Sequence, residues 1–190
     1  MTRNGVTIME KLYETERLIL KTLDGSYAGM VADYYLRNKG FLAEWISLRE
    51  DAFYTRELQE KQLEKELIDI ANNSSLRFWI FDKKLQDNII GTIAFNDILW
   101  GAHLSCQIGY RLDKDNTGKG YMAEAAKKGI DIMFNEYKLH RIEANILPNN
   151  KPSLKLAERL GFAAEGIACE YLKVNGKWQD HLRFVLLNKI

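Results

Sequence analysis

The stretch NTGKGYMAEAAKKGIDIMF, residues 116–134, places two glycines directly before an amphipathic helix. Apolar side chains recur at helical spacing and form one stripe: Met122, Ala126, Gly129, Ile130, Met133 and Tyr137. The free N–H groups and the positive dipole end of a helix start attract phosphate, and glycine lets a ligand approach closely. Gly118 and Gly120 therefore predict either a phosphate-binding loop or a plain strand-to-helix turn.

Strand patterns flank this stretch on both sides. Residues 103–112 alternate between two faces, and Gly109 interrupts one of them, which is typical of a bulge or of a close approach by a ligand. Residues 141–147 form the next predicted strand, and Asn175-Gly176 predicts a two-residue hairpin near the end of the chain. The order strand, helices, antiparallel strands, helix, strand, helix, hairpin predicts an α/β (α+β) fold.

Composition describes an ordinary globular chain of 190 residues, 46% of them hydrophobic and 28% charged. This length fits one domain, predicted over residues 15–190, after an N-terminal extension of residues 1–14. Lys and Arg number 27 against 26 Asp and Glu, so the formal net charge is only +1. A global field that would recruit nucleic acid or an anionic membrane is absent, and we expect neither as a direct partner.

Cysteine and histidine usage argues against a metal site. Cys106 and Cys169 lack CxxC spacing, and the three histidines are scattered along the chain. Two such cysteines fit a reducing compartment, and no apolar run has the length of a membrane span or a secretion signal. The sequence therefore predicts a cytoplasmic protein without a bound metal.

Two nucleotide-binding alternatives compete for the glycine pair. Gly118, Gly120 and Ala123 satisfy the dinucleotide fingerprint G-x-G-x-x-G/A, and Glu143 follows at about the expected distance of 20 residues. However, Glu143 lies at the start of its predicted strand, whereas the ribose-binding acid should lie at the end of one. In addition, too little chain follows to complete a large parallel sheet. A phosphate-loop NTPase is excluded because no Gly-Lys-Ser/Thr triplet follows at the required spacing.

Five segments in order carry a resemblance to a known family: ETERLIL (14–20), IGYRL (108–112), GKGYMAEA (118–125), NNKPSLKLAERLGFAAEG (149–166) and YLKVNGKWQDH (171–181). Together they resemble the GCN5-related N-acetyltransferase (GNAT) superfamily, in particular the branch of ribosomal-protein N-terminal alanine and serine acetyltransferases. The resemblance covers nearly the whole chain from about residue 15. Asp115 departs from the pattern, because the superfamily has Gln or Arg there.

The resemblance implies a mixed, mostly antiparallel central sheet of about seven strands flanked by helices. Residues 103–112 and 141–147 would form a splayed strand pair, into which the pantetheine arm of acetyl-coenzyme A (acetyl-CoA) enters. The cofactor-binding residues implied by the family are the following: Ile108, Gly109, Tyr110, Gly118, Lys119, Gly120, Tyr121, Met122, Asn150 and Ser153. Phe41, Trp45 and Tyr54 are expected to shape the acceptor pocket.

The resemblance also implies catalytic roles. Glu170 resembles a glutamate that acts as general base through a water, and Ser153 resembles a serine that holds this water or protonates the leaving thiolate. Their plain alternatives are a surface strand glutamate and a helix-start serine, and Asn150 could simply cap the same helix. A covalent route through Cys106 is the rival mechanism, although the place of this residue on an apolar face favours core packing.

The predicted function is acetyl transfer from acetyl-CoA to an amine, foremost the N-terminal α-amino group of a ribosomal or other protein or a peptide. Attack would be direct, with a water-mediated general base. A polyamine, an amino acid or an antibiotic is the alternative acceptor. A domain that senses acetyl-CoA without turnover is the alternative outside enzymes.

Overall fold

The structure is a computed structural model that describes residues 2–3, 6–7, 10–47 and 49–189, without the side chains of residues 2, 3, 6, 7, 86 and 87. Its helices are α1 (Ala28–Arg37), α2 (Lys39–Leu42), α3 (Arg56–Ala71), α4 (Tyr121–Asn135) and α5 (Lys151–Arg159). Its strands are β1 (Thr2–Arg3), β2 (Val6–Thr7), β3 (Leu12–Glu14), β4 (Leu18–Lys21), β5 (Leu76–Asp82), β6 (Leu85–Leu99), β7 (Ser105–Leu112), β8 (Arg141–Ile146), β9 (Ala163–Val174) and β10 (Lys177–Leu187). No helix among the described residues is long and apolar enough to cross a bilayer.

One mixed sheet of eight strands organises the chain in the order β3-β4-β5-β6-β7-β8-β10-β9. Every neighbouring pair in it is antiparallel except β7 and β8. The predicted α+β architecture is confirmed, with one strand more than the expected seven or so. The additional strand is β3, which pairs with β4 although it belongs to the predicted N-terminal extension. A domain boundary at residue 15 stays a prediction.

The parallel pair β7–β8 opens into a wedge. Its ladder holds only for Ser105, Cys106 and Gln107, which face Arg141, Ile142 and Glu143. Beyond that point β7 continues to Leu112 in pairing with β6, while β8 pairs with β10 as far as Ile146. The predicted splayed pair is thereby confirmed, and the backbone groups on its open side pair with no other strand in the part of the chain that the structure describes.

The kink that was expected at Gly109 lies elsewhere. The β6–β7 register runs unbroken from Gly91 opposite Leu112 to Asn96 opposite Gln107, so Gly109 pairs normally with Ala94. The register shift occurs between Asn96 and Leu99, where Asp97 has a φ of 50°. A bulge at Gly109 is therefore wrong, and close approach of a ligand remains as the reason for a glycine there.

Helices cover the two faces of the sheet with separate cores. On one face α4 and α5 pack against the even-numbered side chains of β7, such as Cys106 and Ile108. On the other face α1 and α3 pack over Trp79 and Phe81. Gly129 of α4 lies so close to the sheet that an added Cβ would meet the ring of Phe95 at 2.7 Å. This contact explains a glycine inside an otherwise apolar stripe.

Local signals in the last third of the chain are confirmed. Asn175 and Gly176 both have positive φ, 49° and 78°, as the predicted two-residue hairpin requires. Pro152 lies in the first turn of α5, and Gly161 follows its end with a φ of 87°. These elements place the start of α5 and the β9–β10 hairpin at the open side of the wedge.

Candidate active site

A cavity of about 790 Å³ passes through the wedge between β7 and β8. On one side it is lined by the turn before α4 and the start of α5, and on the other by the segment after α2 and the β9–β10 hairpin. Ile108, Gly109 and Tyr110 of β7 lie between these two ends. Volumes of 300–1,000 Å³ are typical of small-molecule sites, so the cavity can hold an extended ligand.

The glycine turn forms one end of the cavity. Gly118 and Gly120 adopt φ of 75° and 81°, a region that side chains with a Cβ rarely enter. Gly120 is the N-cap of α4 and supplies no capping side chain, so the first-turn N–H groups lack an intrahelical acceptor. Thr117, Gly118, Gly120 and Met122 line the cavity here. The turn therefore has the backbone geometry of an anion site, and its binding of a phosphate stays a prediction.

An ion pair that sequence reasoning missed holds this turn against the sheet. Arg17 donates from Nη1 to the carbonyl of Lys119 at 3.0 Å and from Nε to Oε2 of Glu124 at 2.7 Å. Burial opposes ionisation of Glu124, but hydrogen bonds from Thr15 and Arg17 outweigh it and lower the pKa of this carboxyl. Glu124 thus stays charged and fixes the start of α4. Its only sequence signal was an acid in the first helical turn.

The predicted cofactor residues fall into two groups. Eight of the ten line the cavity: Ile108, Gly109, Tyr110, Gly118, Gly120, Met122, Asn150 and Ser153. The side chains of the other two have partners elsewhere, because Lys119 donates from Nζ to Asn116 at 3.0 Å and Tyr121 donates to Asp82 at 2.6 Å. A role of Lys119 and Tyr121 in cofactor binding stays a prediction. Because both side chains have other partners, their backbone N–H groups would make the contact with the cofactor.

The start of α5 closes the cavity next to β7. Asn150 accepts from the backbone N–H of Ser153 at 3.2 Å, so the capping role considered for it is present. Tyr110 donates to the carbonyl of Ser153 at 3.3 Å, and burial raises the pKa of Tyr110. Asn150 and Ser153 nevertheless both line the cavity, so capping and ligand contact are compatible.

Glu170 lies on a bulge of β9. The β9–β10 register shifts between Gln179 and His181, and Glu170 has a φ of 45° at this irregularity. Its backbone N–H donates to Oδ1 of Asp180 at 2.8 Å, and its side chain is exposed. The cavity lining includes the next residue, Tyr171, but not Glu170. Its role as general base stays a prediction.

A polar network that the sequence did not reveal lies where the wedge opens. Oε1 of Gln107 accepts from Tyr171 at 2.9 Å and from Asn145 at 3.2 Å. The ring of Tyr171 meets that of His181 edge-on at 5.4 Å. His181 is 4% exposed, and its Nδ1 lies 3.0 Å from the carbonyl of Gln179. A carbonyl only accepts, so Nδ1 donates, and Nε2 has no hydrogen-bond partner among the described residues. The cavity lining includes Gln107, Asn145, Tyr171 and His181.

Cys106 lies on the face of β7 that is opposite to Gln107. It is 2% exposed, packs in the core under α4, and is absent from the cavity lining. Burial raises the pKa of its thiol to about 12, and the charge of Glu143 adds to this shift. A thiol of this kind is protonated and shielded at neutral pH, which is the state expected of an inert packing cysteine.

Aromatic and basic side chains line the end of the cavity beyond β7. Phe41 and Trp45 are present as expected, whereas Tyr54 packs against Phe53 and lies under Lys39 instead. Arg49, Arg77 and Arg111 line this end, whereas Lys155 and Arg159 belong to α5 on the side of the glycine turn. Within the described part of the chain the cavity lining includes no Asp or Glu. The side chains that line this cavity, the chamber, therefore give it a positive net charge.

Comparisons with known proteins agree with this geometry. The family described as acetyltransferase (GNAT) domain matches residues 17–163. A probable N-acetyltransferase, YjcK of Bacillus subtilis (strain 168), is 39% identical over 151 residues, 80% of this chain and 83% of the relative. The [ribosomal protein uS5]-alanine N-acetyltransferase of Escherichia coli (strain K12) is 34% identical over 168 residues, 88% of this chain and 86% of the relative. The crystal structure of ribosomal-protein-S5-alanine acetyltransferase from Vibrio fischeri superimposes with a TM-score of 0.89 at 35% identity, covering 94% of this chain and 97% of that one.

Proposed function

Because the chain belongs to the GNAT family and is an acetyl-CoA-dependent N-acetyltransferase, we propose that its acceptor is the α-amino group at a protein or peptide N-terminus. The observation that carries this proposal is a chamber whose lining has basic, aromatic and amide side chains but, among the described residues, no carboxylate. A polyamine carries several positive charges, and a lining with arginines and without carboxylates among the described residues repels it. The names of the E. coli and V. fischeri relatives support the same acceptor class.

Different segments around the wedge suit different parts of the acetyl donor. Main-chain N–H groups at Gly118, Gly120 and Met122 suit a pyrophosphate. The main-chain groups of β7 that point toward β8 beyond Gln107 have no strand partner among the described residues, and they suit the amide-bearing pantetheine arm, which can take the place of a neighbouring strand. In this proposal, backbone N–H groups between Ile108 and Tyr110 stabilise the oxyanion that forms when the amine attacks the thioester carbonyl.

The acceptor amine must be neutral to attack. An α-amino group with a reference pKa of about 7.7–8.0 is roughly one-tenth neutral at pH 7, whereas lysine at about 10.4 is under one-thousandth neutral. A modest base therefore suffices for an N-terminus. Direct attack fits the buried, protonated state of Cys106, because Cys106 then offers no thiolate to take the acetyl group first.

An acceptor panel tests the proposed substrate class. Peptides with N-terminal Ala or Ser should give kcat/KM values a few hundredfold (about 200- to 400-fold) above those of an N-terminally blocked peptide with one lysine, reflecting the neutral fractions at pH 7. Free thiol released from acetyl-CoA is the measurement, with spermidine and free amino acids in the same panel. Faster turnover of spermidine or of a free amino acid contradicts the proposed acceptor. Thermal stabilisation by acetyl-CoA without turnover of any amine would indicate a sensor.

Glu170→Gln tests the proposed base. We expect kcat to fall about a hundredfold, the lower end for general acid–base catalysis, because the amine is already partly neutral. Affinity for CoA should not change, and the fold should persist because the side chain is exposed and the bond to Asp180 uses the main chain. Titration calorimetry and steady-state kinetics give these two quantities.

His181→Gln tests the alternative candidate for the general base. The imidazole lines the cavity, and no described residue hydrogen-bonds to its Nε2, so His181 is the second candidate for the base. If His181→Gln abolishes turnover at unchanged melting temperature while Glu170→Gln keeps wild-type kcat, the assignment to Glu170 is wrong. Ser153→Ala should lower kcat at unchanged CoA affinity, because the serine is proposed to hold the water or to protonate the leaving thiolate.

A further inference from the structure

Three arginines gather at the acceptor end of the chamber. Arg49 follows α2, Arg77 lies on β5 and Arg111 on β7, and all three line both the main cavity and a side pocket of about 80 Å³. Arg77 and Arg111 belong to the sheet face under α1 and α3. In the register, Arg77 lies opposite Ala94, which lies opposite Gly109. The arginines are thus on the face where Gly109 borders the wedge.

One carboxylate accompanies the arginines and does not neutralise them. Glu66 of α3 is the only acid that lines the side pocket among the described residues, and its Oε1 lies 2.8 Å from Nε of Arg77. Arg49 and Arg111 form no ion pair within the described part of the chain. Three cations facing one anion leave an excess of two positive charges.

Arg77 keeps donors besides the one that faces Glu66. Its Nε lies 2.8 Å from Oε1 of Glu66, and its Nη1 makes only a long bond of 3.4 Å to Thr92. Arginine carries five N–H donors in a fixed fork, so these two contacts do not use the whole guanidinium group. A carboxylate in the cavity can therefore accept from Arg77 without displacing Glu66.

We propose that Arg49, Arg77 and Arg111 form a subsite for a carboxylate of the acceptor, namely an Asp or Glu side chain close to its N-terminus. Guanidinium groups bind carboxylates by paired, charge-assisted hydrogen bonds, and their planar donors suit this better than lysine. The subsite rests on the proposed function, since it presumes that an acceptor amine reaches the wedge. It selects among protein N-termini by sequence and repels cationic amines.

Strand geometry sets the position of the acidic residue. The Cα of Arg111 lies two residues beyond Gly109 on β7, about 7 Å along the strand, and that of Arg77 lies two strands away, about 10 Å across the sheet. An extended peptide rises about 3.3 Å per residue. With the α-amine at the level of Gly109, the side chain that meets the guanidinium groups belongs to position 2, 3 or 4 of the acceptor.

Matched peptides test the subsite. Hexapeptides with N-terminal Ala carry Asp at position 2, 3 or 4, each beside a counterpart with Asn. We expect the Asp peptide to exceed its Asn counterpart in kcat/KM by about ten- to a hundredfold at one of these positions, which is the range for a hydrogen bond to a charged group. Arg111→Gln should remove most of this ratio. Arg111→Glu should abolish it, because two cations would then face two anions.

Controls separate the subsite from general effects. Arg56→Gln removes an exposed arginine outside both cavities and should keep the wild-type ratio. Because each ratio is internal to one variant, a partial loss of folded protein does not change it. Equal rates for Asp and Asn peptides at all three positions, or an undiminished ratio in Arg111→Gln, overturn the subsite alone. Acetylation of free acidic amino acids but of no peptide overturns the proposed acceptor and retains the subsite. Spermidine as the best acceptor overturns both.

Discussion

Gly109→Val is expected to lower kcat by about a thousandfold while the protein stays folded. A displacement of about 1 Å can cost about a hundredfold in rate, and a branched side chain at this position would displace both acetyl donor and acceptor amine. Gly109 is exposed, an added Cβ meets no atom within 4 Å, and its pairing with Ala94 is regular. Valine also suits a strand better than glycine, so the fold should not suffer.

The measurement for this variant is kcat together with the dissociation constant of CoA. Because the glycine turn lies at the other end of the cavity, CoA should still bind with its pyrophosphate in place. Gly29→Val serves as the control, since an added Cβ there also meets nothing within 4 Å and Gly29 lies on α1, away from the wedge. Wild-type kcat in Gly109→Val would show that the reaction does not take place in the wedge.

Gly120→Val is expected to weaken CoA binding by about a thousandfold. Gly120 has a φ of 81°, which costs a residue with a Cβ about 1–2 kcal/mol, and the added Cβ would lie 3.5 Å from Nη2 of Arg17. The turn must change conformation to relieve this strain, and the N–H groups at the start of α4 turn away from the pyrophosphate. Loss of two charge-assisted hydrogen bonds, each worth about 1.5–3 kcal/mol, corresponds to roughly this factor.

A matched variant separates strain from ligand contact. Gly176→Val places the same residue at a φ of 78° in the β9–β10 turn, outside the cavity lining. Both variants should lose about 1–2 kcal/mol of unfolding free energy, measured by chemical denaturation, and only Gly120→Val should lose CoA affinity in titration calorimetry. Equal CoA affinity in the two variants would remove the glycine turn from the cofactor site.

The variants at Gly120, Gly109 and Arg111 change side chains at different positions along the chamber. Gly120→Val acts where the donor is anchored and should raise the dissociation constant of CoA, whereas Gly109→Val acts where the donor meets the amine and should lower kcat. Arg111→Gln acts farther along and should change only the choice of acceptor. Three positions along one cavity thus affect three separable quantities, which is what an extended donor threaded through a wedge predicts.

The sequence alone determined the elements whose signals are local. The glycine pair before α4, the helix stripe with Gly129, the Asn150 cap with Pro152 and the Asn175-Gly176 hairpin are all where the sequence predicts them. Each depends on backbone φ, capping or periodicity within a few residues, and such preferences do not require knowledge of the rest of the chain. The family resemblance extended these local signals to the splayed strand pair.

Tertiary structure alone decided the acceptor side of the chamber. Tyr171 and Gln107 hydrogen-bond although 64 residues separate them, and Arg49, Arg77 and Arg111 come from a loop and two different strands. These groups meet because β10 lies between β8 and β9, and because β5, β6 and β7 are neighbours in the sheet. Side chains on one face of a sheet become neighbours only when strand order and register are set. Pairing of distant segments sets both, and no local pattern of residues carries that information.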